Sequence, residues 1–340
     1  MLKRSDDPRL SELFRDHSNL DNNCRTIALI QFPSDEGVRR NGGRPGACEG
    51  PSVVMEVLPR LGCLHNREFN INLQNSNVQL LDYGAADEGE LEIAHSSLHT
   101  LVSNCLRSKF FPLSIGGGND QSWANGSAWI DWLRSLPRDY ATLQRKLAVI
   151  NVDAHLDVRP LIPSKDGTLF AHSGSPFRQL IEMARATEDL LLIEFAAQGQ
   201  QCSSAHVDYV LNNGGRIIWL SQLRGVSQVG HESQMCKSQA AHNLHKILTE
   251  CEETERRVFF SFDIDAIRAG DCPGVSCPSP IGLSSEEALE LCFLAGLSHS
   301  VDLMDISEFN PRIEASQTSR LVANMIYYFT MGYSQRKHSQ

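Results

Sequence analysis

The chain has 340 residues, 41% of them hydrophobic and 21% charged, with a formal net charge of −10. This is the composition of a globular protein long enough to bury a sizeable core. The acidic balance argues against a nucleic-acid partner, while leaving room for an anionic small molecule met by local basic groups.

No apolar run approaches the roughly 18 residues that a membrane span needs, and residues 1–8 lack the apolar core of a secretory signal. A chain that lies in the cytoplasm and binds no membrane is the expectation. Ten cysteines are too sparse for a disulfide scaffold, no zinc-type pair of CxxC motifs occurs, and reduced thiols are the default.

In chain order, residues 1–24 are polar and read as an N-terminal arm or a short first helix. Residues 25–340 read as one domain. Apolar runs predict eight strands near 26–32, 78–83, 111–115, 146–152, 190–195, 216–220, 257–263 and 301–306. Helical patterns at 91–106, 177–185, 204–212, 240–251, 284–297 and 314–331 separate most of them, and Ser284-Ser285-Glu286-Glu287 contains a capping box. Strand alternating with helix predicts a three-layer α/β/α fold around an eight-stranded parallel sheet. No repeat or linker interrupts it. Dehydrogenase and kinase chemistry are excluded, because neither GxGxxG at a strand–helix turn nor GxxxxGK[ST] occurs.

In such sheets the site lies at the carboxyl ends of the strands, and polar clusters follow four of the apolar runs. They are Gly116-Gly117-Gly118-Asn119-Asp120, Asp153-Ala154-His155-Leu156-Asp157, Asp263-Ile264-Asp265 and Asp305-Ile306-Ser307-Glu308. Alternation along an extended chain predicts that Asp153, His155 and Asp157 face one side, with Asp263 and Asp265 paired likewise on their own strand. Four carboxylates and an imidazole gathered together would repel strongly without a counter-ion. Oxygen and nitrogen donors of this kind suit manganese. Five such ligands fit two ions about 3.5–4 Å apart that share carboxylates and activate a bridging water.

The set GGGND, DAHLD and SFDID, in this order and at these strand ends, resembles the ureohydrolase superfamily of arginase, agmatinase and formimidoylglutamase over about 27–328. Three stretches resemble formimidoylglutamases in particular: SDEGVRRNGGR from Ser34, SGSPF from Ser173, and CPGVSCP from Cys272. The resemblance implies that Asp153 and Asp263 bridge two manganese ions. His155 and Asp265 would complete one ion, and Asp157 would serve the other. Where the family has a histidine ligand this chain has Asn119, whose amide oxygen is a weaker ligand, so one firm and one labile ion are expected. The alternative is that Asn119 only caps the helix that follows.

The implied reaction is hydrolysis of N-formimidoyl-L-glutamate to L-glutamate and formamide by a metal-bridging hydroxide. Asp157 would relay a proton to the leaving amine, and Glu308 would grip the amidine-like end. Arg159, two residues beyond Asp157, is expected to bind a substrate carboxylate, with the Ser173 hydroxyl and the Gly174 N–H as further donors. Arg178, Arg39, Arg40, Arg44 and His172 are lesser candidates, a lone loop histidine being more often simply exposed. Cys272 and Cys277, with Cys48 across the rim, would either gate the site by oxidation or stay idle. Family members are usually trimers or hexamers, which implies a homo-oligomer here, with the helix at 316–331 packed on a neighbouring subunit. Two rival readings stand beside this one: an arginase- or agmatinase-type hydrolase, and a non-catalytic regulatory relative weakened by Asn119.

Overall fold

The computed structural model describes residues 8–137, 145–225 and 237–337. Its main sheet has nine strands: β1 (Phe14–Arg15), β2 (Arg25–Phe32), β3 (Val78–Ala85), β4 (Phe111–Gly116), β5 (Arg145–Val152), β6 (Glu188–Ala197), β7 (Arg216–Trp219), β8 (Arg257–Asp263) and β9 (Val301–Ser307). They pair in the order β1-β3-β2-β4-β9-β8-β5-β6-β7, and every pairing is parallel. The eight expected strands are all present. The ninth, β1, lies in what reads as an arm and adds to the edge at β3, with Phe14 opposite Leu80. Two residues are too few to show a period, so nothing in the sequence marked this strand.

The helices are α1 (Glu36–Arg40), α2 (Gly50–Val57), α3 (Leu91–Arg107), α4 (Gln121–Ser135), α5 (Pro176–Ala184), α6 (Ser204–Asn212), α7 (Gln239–Glu253), α8 (Ser285–Leu297) and α9 (Ser316–Ser334). Alternation along the strands assigns them to two layers. Ile27 and Leu29 of β2 face a core built with α2, α7, α8 and α9. Ala28, Ile30 and Phe32 face a second core built with α3, α4, α5 and α6. Strands covered on both faces read as continuous apolar runs, which is why they were legible.

The expected capping box opens α8, with Ser284 Oγ accepting from Glu287 N–H and the Glu287 carboxylate accepting from Ser284 N–H. Within the chain α9 packs through Val322, Met325, Ile326 and Phe329, which are fully buried. No described helix is long and apolar enough to cross a membrane.

Strands β4, β9, β8 and β5 are consecutive in the sheet. They are the four strands whose ends carry the polar clusters, so the topology alone brings Asn119, Glu308, Asp263 and Asp153 to one rim.

Candidate metal centre

The acids converge through turns rather than through extended alternation. β5 ends at Val152, and the chain bends over the residues that follow. The bend is fixed because Asp153 Oδ1 accepts the His155 N–H at 2.7 Å. Asp263 Oδ1 does the same for the Asp265 N–H at 2.9 Å. An aspartate that bonds the amide two residues on makes its own turn, and D-x-H and D-x-D fold back for the same reason. Asp157 and Glu308 sit in the left-handed region, with φ of 42° and 72°. Such φ values are uncommon outside glycine and cluster at functional sites. Gly117 is required by close approach, since a Cβ there would lie 1.9 Å from the Ser34 carbonyl oxygen.

Two sets of ligand atoms result, each within 4.8 Å of one another: Asp153, His155 and Asp265, and Asp153, Asp157 and Asp263. Asp153 is common to both. Asp263 belongs to the second set only. His155 Nδ1 lies 3.1 Å from Asp265 Oδ2 and 3.3 Å from Asp153 Oδ1.

Burial, reinforced by the Asp153 charge, pushes the Asp157 carboxyl up to about 8. Burial and neighbouring acids also raise Asp263, Asp265 and Glu308. For Asp153, burial is outweighed by hydrogen bonds and charge from His155, so its carboxyl is held below the usual range. Asp265 Oδ1 is buried without a hydrogen-bond partner. Crowded carboxylates, an orphaned buried oxygen and one imidazole form a donor set that fits a hard divalent cation such as manganese.

Asn119 departs from both readings of it. Its Nδ2 donates to Asp157 Oδ2 at 2.8 Å, and its Oδ1 accepts from Ser307 at 2.9 Å and Ser122 at 3.1 Å. The amide oxygen expected to face a metal is turned away, because oxygen facing two carboxylates would be repelled. Nor does Asn119 cap α4, whose N-cap position is Asp120.

The sequence matches the Arginase family over residues 25–332. The chain belongs to the arginase family. Among similar proteins, the formimidoylglutamase of Salmonella newport (strain SL254) is 30% identical over 298 residues, covering 87% of this chain and 82% of that protein. The crystal structure of Trypanosoma cruzi formiminoglutamase with manganese is 38% identical, covers 97% of this chain and 100% of its own, and has a TM-score of 0.80. The formimidoylglutamase structure from Bacillus subtilis, at 21% identity and a TM-score of 0.79, shares the fold.

In this arginase-family chain Asp157, Asp263 and Asp265 line a cavity of about 190 Å³ together with Glu308, Arg159, Ser173 and Asn41. Asn119 N–H donates to Glu308 Oε1 at 3.0 Å, and Glu308 N–H donates to the Gly117 carbonyl at 2.7 Å. Arg159 reaches Asn41 Oδ1 at 3.3 Å, and Asn41 Nδ2 in turn donates to Ser173 Oγ at 3.1 Å. Asn41 stands within the SDEGVRRNGGR stretch that begins at Ser34. Only its place in the glycine-rich turn hinted at a role.

Gly174 does not offer its N–H to a ligand, because that group bonds His172 Nδ1 at 3.2 Å. Its lack of a side chain matters instead: a Cβ would lie 2.9 Å from Arg159 Cδ. His172 is neither exposed nor in the site. It is buried, with Nε2 on the Pro160 carbonyl at 3.1 Å, and burial lowers its pKa.

The lesser arginines are committed elsewhere. Arg39 pairs with Asp35 at 3.0 Å, Arg40 with Glu92 at 2.6 Å and Arg178 with Glu182 at 3.0 Å. Arg44 bonds the Val275 and Ser276 carbonyls and ties its loop to theirs. Of the two readings of the cysteines, their placement favours idle thiols, since the three do not share one cavity. Cys48 lines a separate cavity beside Asp35, Cys272 is buried, and of the three only Cys277 lines the site.

The raised carboxyls have a consequence for stability. They hold protons more tightly in the folded chain than in the unfolded one. Without metal, the contribution is therefore fully present below the ordinary carboxylate pKa of about 4 and is lost as the pH rises through the folded values, about 8 for Asp157. Chelated protein should lose several degrees of Tm between about pH 5 and pH 8, and manganese should abolish that loss. Differential scanning calorimetry with and without chelator checks this.

Proposed function

We propose that this chain hydrolyses N-formimidoyl-L-glutamate to L-glutamate and formamide, with manganese held by Asp153, His155, Asp157, Asp263 and Asp265. The observation that carries the reading is that two acid sets sharing Asp153 bring Asp157, Asp263 and Asp265 into one small cavity with Arg159. The similarity to the formimidoylglutamase of Salmonella and the formiminoglutamase of Trypanosoma cruzi supports it. Manganese, when bound, supplies Lewis acidity that lets water act as a nucleophile near neutral pH.

The chain's own groups bind and orient. Arg159 presents a planar fork of donors to a substrate carboxylate. The Ser173 hydroxyl, which already accepts from Asn41, keeps its own proton to donate. Glu308 is buried and aimed by the Asn119 N–H, and a cationic N–C–N group arriving there favours the ionised carboxylate and pairs with it. Asp157, at the junction of acids and cavity, is placed to hold the proton that the departing amine needs.

An agmatinase-type reading is disfavoured by Arg159, since agmatine carries no carboxylate to pair with it. Arg159→Met should raise KM for N-formimidoyl-L-glutamate roughly 10- to 100-fold, the loss of a hydrogen-bonded charge pair, while moving kcat little. Steady-state kinetics checks this.

The function itself is tested by formamide release with manganese titrated, run beside arginine and agmatine. Turnover of the formimidoyl substrate alone is expected, and urea from either competitor with no formamide would contradict it. In the same titration Asn119→His should tighten the second manganese site, because imidazole brings a ligand nitrogen to a position where the amide oxygen is turned away. No gain in affinity or stoichiometry would count against that assignment.

A further inference from the structure

Next to the acid cluster, β5 and β6 run in parallel register and set Asn151 opposite Glu194. Both side chains are fully buried. Asn151 Nδ2 donates to Glu194 Oε2 at 2.9 Å and to Asp153 Oδ2 at 3.2 Å, one acceptor for each of its two hydrogens. The other polar atom of each group, Asn151 Oδ1 and Glu194 Oε1, is buried and has no hydrogen-bond partner. Orphaned buried acceptors are costly. Here two occur on facing groups that already share one hydrogen bond.

An ionised Glu194 leaves both orphans unmet and adds another buried negative charge to a crowded acid cluster. A proton on Glu194 changes the count. Its O–H supplies the donor that Asn151 Oδ1 lacks, and the Asn151 N–H already serves the other carboxyl oxygen. Acid and amide then close a ring of two hydrogen bonds.

We infer that Glu194 is a neutral carboxylic acid doubly hydrogen-bonded to Asn151, and that the pair is a positioning device fixing the amide N–H that aims Asp153 at the metal centre. Burial also drives this carboxyl far above its ordinary range, and the charges of Asp153 and Asp157 add to the effect. The pair orients the one residue common to both acid sets without adding charge to them. Supporting hydrogen bonds of this kind set ligand orientation and metal affinity. The positioning role rests on the metal-centre reading given above; the protonation of Glu194 does not.

The test uses full-length protein and the variants Glu194→Gln, Glu194→Leu and Asn151→Ala. Glutamine offers one N–H donor and one acceptor, as the protonated acid does. Glu194→Gln should therefore bind manganese within about threefold of the parent, while Glu194→Leu and Asn151→Ala bind roughly tenfold more weakly. The infrared difference spectrum, parent minus Glu194→Gln at pH 8, should show a protonated carboxyl band.

A carboxylate signature in that spectrum would overturn the inference. So would manganese affinity in Glu194→Gln as weak as in Glu194→Leu, or parental affinity in Glu194→Leu. If Glu194→Leu does not fold, the infrared band and the Glu194→Gln titration decide. If the parent itself binds no manganese, the metal-centre reading and the positioning role fall together, and the infrared band still decides the protonation state of Glu194.

Discussion

Asp153→Asn is expected to leave the fold intact and to remove manganese binding and hydrolysis together. Asparagine keeps an oxygen that can accept the His155 N–H, so the turn after β5 survives. What is lost is the single charge that both acid sets share. Because neither set is complete without Asp153, the effect should exceed that of replacing a residue belonging to one set. Metal-ion stabilisation is worth several kcal/mol of barrier, so kcat should fall on the order of 10³-fold or more. Circular dichroism, equilibrium dialysis and turnover on one preparation check it. Unchanged manganese binding in the variant would remove Asp153 from the centre.

The second large effect is expected at Glu308. Glu308→Gln keeps an oxygen that can accept the Asn119 N–H, and therefore keeps the strand end in place. It removes the charge that faces the cavity. Truncating one partner of a buried, hydrogen-bonded charge pair costs about 2–5 kcal/mol. A cationic amidine-like group should thus lose roughly 30-fold or more in kcat/KM. Manganese affinity should change little, because Glu308 belongs to neither acid set. If kcat/KM is unchanged and manganese affinity drops instead, Glu308 serves the metal and not the substrate.

The parts of this molecule that were legible in the sequence are those governed by burial. Eight of the nine strands, the covered parallel sheet and the rim on which Asn119, Asp153, Asp263 and Glu308 meet all follow from apolar runs punctuated by polar strand ends. Geometry was less legible where hydrogen bonds rather than hydrophobicity decide it. Asp153, His155 and Asp157 converge because an aspartate bonds the second amide after it, not because the chain stays extended. The orientation of Asn119 depends on Ser122 and Ser307, which no local pattern links to it. Gly174 reads as a donor and is instead the space in which Arg159 lies. Asn41 is hard to read from the sequence because an asparagine in a glycine-rich turn ordinarily needs no ligand to explain it. Glu194 did leave a signal, a lone acid inside the apolar run of β6, and such a residue at the centre of a buried strand requires a partner or a proton.

The central claim is that distant acids and an imidazole meet because they hold a pair of cations around one shared carboxylate. Anomalous diffraction at the manganese edge from crystals of the manganese-loaded protein tests this most directly. Two peaks about 3.5–4 Å apart are expected, both within ligand distance of Asp153, the one on the Asn119 side weaker. Absence of any peak at this rim, or a single ion that Asp153 does not touch, would contradict it.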